Sequence, residues 1–545
     1  MATIIVSALS IPLLRELGVL KSKDQTQLPP YSVHTVTVPG AAAGWVDTVA
    51  HFGSGRLALG DILQPAIQLA EEGYPVAPIT AHLWSSGLTQ LLNGGPNAAE
   101  MLVRDNGNDG DDKDNEEEKS KANVSLRAPR AGELMRMPEL ARTFRELATH
   151  GKKAFYEGRI AEAIVAALQE NDNTSTMTLQ DLKDHLLTSE EQQLVKPVSV
   201  EYEGVRVWEL PPNGQGIVAL MALNLWKAIK EKEKTETEEE MEHNSVEHLH
   251  RVIESLRLAF ADGNHFICDP TYYSSSNNNE DDASYEQVLQ ILLSEEYAKE
   301  RVERYFSSEK ASTEIQRGHP ENSSCTVYLA VVDEQGNACS FINSNYMGFG
   351  TGIIPKGCGF TLHNRGHNFS MLEGHPNALA PRKRPYHTII PGMATRIPPK
   401  GQQKEELFCC FGVMGAFMQP QGHLQVLLNM IDFKMDPQQA LDAPRCCILA
   451  TTSISQQGEE TTTSRVALEE GISERVIKGL KQKGHTVEER KDEEGEEGRS
   501  YVISGNERSL FGRGQIILAK KEREGRWVMW GGSDPRGDGL AIARC

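Results

Sequence analysis

Few residues in this chain are of a type and spacing that could do chemistry, and most of the familiar constellations are missing. No G-x-S-x-G element is present to lift a serine onto a sharp strand-to-helix turn. His248 and His250 fall within one helical stretch, but residues two apart on a helix point to different faces, so they do not pair as metal ligands. The nine cysteines are odd in number and contain no C-x-x-C, and Cys409-Cys410 and Cys446-Cys447 lie in apolar runs. That pattern suits small buried thiols, not a disulfide framework or a zinc site. Gly348-Phe349-Gly350-Thr351-Gly352 is glycine-rich, yet no G-K-[ST] follows it, so it reads as a flexible turn and not a phosphate loop. One hydroxyl, that of Thr326, stands at the head of a β-branched and aromatic run after Cys325. A threonine there is ordinarily a good strand former. To act as a nucleophile it needs a base beside it.

The elements that must position Thr326 are readable from pattern. Residues 326–333 and 338–344 flank Glu334-Gln335-Gly336-Asn337, a hairpin signal. Leu407 to Val413 is a continuous apolar run, expected of a strand covered on both faces, and Met414-Gly415-Ala416 breaks it before a helix from Gln421 to Ile431. Val198 to Glu209 alternates as a strand and closes at Pro211-Pro212-Asn213-Gly214-Gln215-Gly216, where a helix over 216–230 begins. Further helices are expected at 59–73, with Asp61 near its N-terminal end, and at 79–103, 133–150, 152–170, 177–185, 244–262 and 284–307. Tyr31 to Val38 reads as a strand, Ala41 starts a helix, and two strands are expected at 514–520 and 526–530.

At 545 residues the chain can bury a large core, and its net charge of −20 is local. Residues 105–119, 230–242, 280–282 and 491–497 carry −6, −4, −3 and −4, leaving the remainder nearly balanced. Acid runs of this kind stay solvated and read as surface insertions, at about 104–122, 228–243 and 275–283. The acidic balance argues against nucleic acid as a partner. Met1 to Leu14 lacks a basic leader and continues in helical register, so it reads as structural, and no apolar run approaches a membrane span. As the chain stands, the expectation is a cytoplasmic protein.

Several segments, in order, resemble the γ-glutamyltransferase family of N-terminal-nucleophile hydrolases, in particular its acylase-like and amidohydrolase-like branch. They are VPGAAAGW (38–45), PPNGQG (211–216), LRLAFAD (256–262), TVYLAVVDEQGNACSFINSNYMGFGTGI (326–353), HPNALAPRKRPYHTIIP (375–391), MQPQGHLQVL (418–427) and GGSDPRGDG (531–539). The resemblance implies an α+β fold, a four-layer αββα sandwich. It also implies a precursor that cuts itself between Cys325 and Thr326, giving segments 1–325 and 326–545 that stay together as a heterodimer and one structural unit. Family members usually carry a longer N-terminal portion, so the sandwich is expected to be shortened there. No cofactor and no metal are implied.

The same resemblance assigns roles. Thr326 would attack a small-molecule amide, γ-glutamyl or related acyl, with its own freed α-amine as base, pass through an acyl-enzyme, and hand the acyl group to water or an acceptor amine. Gly415 and Ala416 match the backbone oxyanion hole, usually Gly-Gly; without the resemblance they read as a simple turn. Ser344 matches a hydroxyl that steadies the nucleophile. Asn345 and Tyr346 would line the pocket, and Asn364 and Arg365 would meet a substrate carboxylate. Two positions depart from the transpeptidases proper. Asn368 stands where they carry an acid for the α-amino group, and Tyr386-His387 stands where they carry Ser-Ser for the α-carboxylate. Both departures favour an acyl group other than γ-glutamyl. The alternative is an unprocessed, inactive member that serves as a binding or structural protein.

Overall fold

The computed structural model describes residues 7–22, 25–105, 125–187, 194–234, 241–276, 284–312, 326–401, 404–454, 460–491, 499–522 and 525–543. The expected cleavage residue Cys325 lies outside them, as do 106–119, 235–240, 280–282 and 492–497 of the acidic runs, while 228–232, expected to begin an insertion, end helix Gly216–Lys232 with Ala228 and Ile229 buried. Contacts divide the chain into two compact units. One comprises residues 1–193, 347–367 and 379–383, and the other 194–346, 368–378 and 384–545, so the second includes residues on both sides of Thr326.

The second unit is built on a six-stranded sheet. Its order is Trp527–Ser533, Arg513–Lys521, Glu406–Met414, Gly392–Arg396, Val205–Glu209 and Val198–Tyr202, every neighbour antiparallel. Where the sequence reads as one strand over 198–209, the structure has two, because Glu203 and Gly204 both adopt positive φ (47° and 78°) and close a two-residue hairpin. The alternation runs straight through that turn, which is why it hides the break.

Glu406–Met414 lies inside the sheet and is covered on both faces. Phe411 meets the His423 ring edge-on, and Val413 packs against Gly422, so both point at helix Met418–Ile431. Gly412, one residue out of phase, faces the opposite way and lies against the Tyr328 ring. Tyr328 belongs to the hairpin Thr326–Val332 and Ala338–Ser344, which therefore forms a second layer on this sheet. Asp333 accepts from the Gln335 and Asn337 N–H groups at 2.9 and 2.8 Å, and Gly336 takes φ 81°, so the hairpin turn is held by local polar bonds.

Helices Gly216–Lys232 and Val246–Phe266 pack on each other and on Met418–Ile431. A β-carbon at Gly263 would come within 2.7 Å of Val218, so only glycine allows that helix pair its close approach. Ser245 caps the second helix, accepting from the His248 N–H at 3.1 Å. A smaller sheet pairs Cys446–Ile454 with Glu460–Glu469 and adds Val502–Ile503 in parallel. Met418, Cys447, Ala467, Ile503 and Phe511 form a core cluster of this unit.

The first unit is mainly helical. Its helices include Ala41–Phe52, Leu59–Glu72, Pro138–His150 and Arg159–Asn171, around a core with Trp84, Leu91, Met101, Ala141 and Ile354. The 79–103 stretch is interrupted at Gly87 and Gly94, and 284–307, in the second unit, is split where Ser294 caps a new helix. Tyr31 to Val38 forms a short 3₁₀ turn, Val33–Thr35, and not a strand. The Ser32 hydroxyl accepts from the His34 N–H, and the Thr35 hydroxyl donates to the Ser32 carbonyl at 2.7 Å, so local side-chain bonds override the β-branched composition. Ile11–Glu16 is a helix capped by Ser10, as the opening segment's register implies. No described helix is long and apolar enough to cross a membrane.

Candidate active site

Thr326 opens its strand directly opposite Ser344, which closes the partner strand. Its Oγ donates to Ser344 Oγ at 3.0 Å, and the same Ser344 oxygen accepts from the Tyr346 N–H at 2.9 Å. The second bond holds the Ser344 rotamer, and the first aims the threonine hydroxyl. Tyr346 takes φ 78°, so the chain turns away immediately after Asn345. Thr326 and Tyr328 share the buried face of their strand, while Val327, Leu329 and Val331 face outward and are exposed. The Tyr328 hydroxyl hydrogen-bonds Ser340 at 2.8 Å, and burial pushes its phenol well above the ordinary range. It is a neutral packing group.

At the end of the covered strand, Gly415 takes φ 145° and Ala416 takes φ 50°. A β-carbon at Gly415 would lie 2.9 Å from that of Met418, so glycine is required on steric grounds as well as conformational ones. The Gly415 carbonyl accepts from the Met418 N–H at 2.8 Å and the Ala416 carbonyl from the Gln419 N–H at 3.2 Å, launching helix Met418–Ile431. Among the described residues, neither the Gly415 nor the Ala416 N–H donates a hydrogen bond to the protein. Two successive free N–H groups in a buried turn are what an oxyanion needs.

Three further candidates lie in the same unit. Asn368 is half-buried, and its side-chain Nδ2 is buried with no partner among the described residues, while its carbonyl accepts from Asn377 at 2.7 Å. Tyr386 is buried, stacks on Phe417, and donates its hydroxyl to Gln215 Oε1 at 3.0 Å. His387 is tied through its backbone, donating to the Asn213 carbonyl at 3.0 Å and accepting from the Gln215 N–H at 3.1 Å, and its ring packs over Gly214. Asn364 and Arg365 belong to the other unit. There Asn364 is fully buried, accepting from the Met347 N–H at 3.2 Å and donating to the Pro30 carbonyl at 2.9 Å. Arg365 is also buried, in a 3₁₀ turn over Arg365–Asn368.

His250 does meet other metal-ligand types, though not His248. It lies with Glu254, one helical turn on, and His485. His250 Nδ1 and His485 Nε2 are 2.8 Å apart and share a proton, and His250 Nε2 is bonded to the Ser307 carbonyl. Glu254 is occupied by Arg257 and the Ser312 N–H, both at 2.9 Å. The cluster is a hydrogen-bonded core, not a set of free ligands.

Sequence reasoning passed over other polar groups around this turn. Gln215, fully buried, donates to both the Thr388 and the Ala416 carbonyls. Glu209 and His423, neither of them exposed, share a 2.6 Å bond behind Gly216, with burial raising the Glu209 carboxyl. The one available signal was a glutamine placed directly before an almost wholly apolar helix, where its amide has to find partners inside the protein.

Comparison with known proteins finds similarity along most of the chain. The model of the gamma-glutamyltranspeptidase family matches residues 13–544. A glutathione hydrolase-like proenzyme of Bacillus subtilis is 32% identical over 509 residues, covering 93% of this chain and 80% of its own. An oxamate amidohydrolase proenzyme of Klebsiella pneumoniae is 27% identical over the same shares. Among solved structures, cephalosporin acylase from Bacillus halodurans superposes with a TM-score of 0.73 at 34% identity, over 99% of this chain and 83% of that one.

Proposed function

The chain belongs to the gamma-glutamyltranspeptidase family and is an amidohydrolase of the N-terminal-nucleophile fold, and from that premise we propose that it matures by cutting itself before Thr326 and then uses Thr326 as the nucleophile. The observation that carries this reading is the 3.0 Å bond between the Thr326 and Ser344 hydroxyls, in a strand whose other inward group, Tyr328, packs on the strand leading to Gly415-Ala416. A freed α-amine titrates near 7.7–8.0 in model peptides, so a working fraction is neutral at physiological pH and accepts the hydroxyl proton. Thr326 Oγ then bonds to the amide carbonyl carbon, and the developing oxyanion takes the Gly415 and Ala416 N–H groups, each worth about 10²–10³ in rate. Collapse expels the amine, which leaves with the transferred proton, and water or an acceptor amine releases the acyl group. The two segments, 1–325 and 326–545, remain together as one enzyme.

The acyl group follows from Asn368. An unpartnered amide donor at Asn368 repels an α-ammonium and suits a carbonyl or carboxylate oxygen. We therefore assign the site to acyl groups with a terminal carboxylate and no α-amine. Denaturing electrophoresis and N-terminal sequencing test the central claim. Wild-type protein should give fragments of 325 and 220 residues with Thr at the new terminus, and Thr326→Ala should stay whole. A wild-type band that remains intact through long incubation overturns it.

A further inference from the structure

We propose that Gln215 is a positioning residue for the oxyanion turn, acting on Ala416 and not on substrate. The inference rests on the reading of Gly415-Ala416 given above. Ala416 occupies a backbone conformation, φ 50°, that a residue with a β-carbon resists and that glycine adopts freely. Something must hold it there, because the direction of its N–H depends on that dihedral. Its carbonyl is held by the Gln419 N–H at 3.2 Å, from the helix it launches, and by the shorter bond from the Gln215 side chain, which comes from a different segment. Gln215 Nε2 donates to the Ala416 carbonyl at 2.8 Å and to the Thr388 carbonyl at 2.9 Å, and its Oε1 accepts from the Tyr386 hydroxyl at 3.0 Å. Both donors of the amide are thereby spent, and its acceptor is engaged as well.

The clamp is itself anchored. Gln215 is fully buried at the mouth of helix Gly216–Lys232, and its own N–H donates to the His387 carbonyl at 3.1 Å. A single side chain thus ties together the oxyanion turn, the Tyr386-His387-Thr388 segment and the turn 211–216. Two of these segments lie 171 and 201 residues away in sequence. The anchor also explains how the turn holds an alanine in a conformation that glycine adopts more freely. The amide supplies by hydrogen bonding what the missing conformational freedom would otherwise give. It equally removes the Tyr386 hydroxyl from direct substrate contact, since that hydroxyl is committed to Gln215.

A misaimed oxyanion donor is felt in the transition state more than in substrate binding, so the signature is a fall in kcat with KM little changed. With glutaryl-p-nitroanilide as probe and rates expressed per cleaved chain, Gln215→Leu should lower kcat by about 10²-fold and leave KM within about threefold. Gln215→Asn, which stays polar but is one methylene too short to reach both carbonyls, should lose about tenfold and serves where the leucine variant fails to fold. Adding Ala416→Gly to either variant should recover most of the loss, because glycine needs no clamp at that dihedral. Wild-type kcat in both Gln215 variants, equal losses in kcat and 1/KM, or no recovery on adding Ala416→Gly would each overturn the proposal, with cleaved and active wild-type enzyme leaving the Thr326 reading intact. An uncut, inactive wild-type protein defeats the Thr326 reading, and this inference with it.

Discussion

Replacing Gly412 with alanine should disable Thr326, the proposed nucleophile, from the far side of the sheet. A β-carbon built at Gly412 would lie 2.4, 2.5 and 2.7 Å from Cε2, Cδ2 and Cζ of Tyr328. Carbon atoms in contact settle near 3.5 Å, so ring and strand must part by about 1 Å. The sheet side cannot give readily, since Gly412 is paired with Gln515 and its neighbour Phe411 with both Ile516 and Gly392. Nor can the ring swing aside without breaking its 2.8 Å bond to Ser340. The hairpin therefore moves, and Thr326, two residues along the same face, moves with it. Overpacking of this kind costs about 1–3 kcal/mol in stability, and a displacement of about 1 Å at reacting atoms costs about 10²-fold in rate. The assay is the half-time of conversion to two fragments on a denaturing gel, followed by turnover of a glutaryl anilide by whatever fraction is cut. Tyr328→Ala in the same chain empties the volume the new methyl needs, so the double variant should lose less than the sum of the singles. If Gly412→Ala cleaves and turns over within threefold of wild type at an unchanged Tm, the packing of the hairpin does not set the position of Thr326, and the argument fails.

Other perturbations read different parts of the structure. Glutaryl-p-nitroanilide and γ-glutamyl-p-nitroanilide differ only in the α-ammonium, and with the neutral Asn368 amide in the acid's place the former should be preferred at least tenfold in kcat/KM, a reversed preference counting against the substrate assignment. Asp534→Asn should destabilise by about 3–5 kcal/mol, seen as a large drop in Tm, because it strips a buried carboxylate from Arg445 (2.7 Å) and Arg536 (2.9 Å) and leaves two guanidiniums without it. Burial, with neighbouring cations and imidazoles, lowers His485 to about 2 and His248 to about 3, so both stay neutral in the folded state while the unfolded chain protonates them near 6.5. Their contribution is complete above that pH and is lost as pH falls, by about 2 kcal/mol per histidine at pH 5, and a denaturation midpoint that does not move between pH 7 and pH 5 would contradict it.

What the sequence made legible was what local pattern encodes. Leu407 to Val413 carries no charge and no break, so its burial was readable, and the Gly336 turn with flanking alternation located the hairpin within a residue. Thr326 and Ser344 emerged from the order of several motifs, none of which would have sufficed alone. The 198–209 hairpin was invisible because Glu-Gly is a weak turn signal set in unbroken alternation. Cys446–Ile454 and Glu460–Glu469 pair with each other across 446–454 and 460–468, a register between two segments that neither segment's own pattern records. Gln215 on Ala416 and Tyr328 on Gly412 were beyond reach for a different reason. Each is a contact between distant segments, a side chain meeting backbone, and no periodicity records such a meeting.

The motif GGSDPRGDG presents the same problem, since its residues match the family while doing no evident chemistry. Its place in the fold supplies a reason. A β-carbon on Gly512 would meet the Met414 carbonyl at 2.5 Å, and one on Gly415 would lie 3.3 Å from Gly512, so the 511–512 backbone is the floor against which the proposed oxyanion turn, Gly415-Ala416, rests. That floor consists of loop carbonyls with no strand to satisfy them. Arg445 donates to the Phe511 and Gly512 carbonyls and to that of Leu441, and Arg536 donates to Leu441 and Ala443. Only a guanidinium offers enough fixed donors to serve several carbonyls from one buried point. Two such cations cannot be buried alone, and Asp534 and Glu469 neutralise them, Glu469 at 2.6 Å from Arg536. Burial opposes ionisation of Asp534, but Arg445 and Arg536 outweigh it and hold the carboxyl below its usual range. A purely apolar replacement of the same volume would keep the packing and abandon the carbonyls. The charges are therefore placed where irregular backbone has to be rigid, one layer behind the turn whose N–H groups must not move.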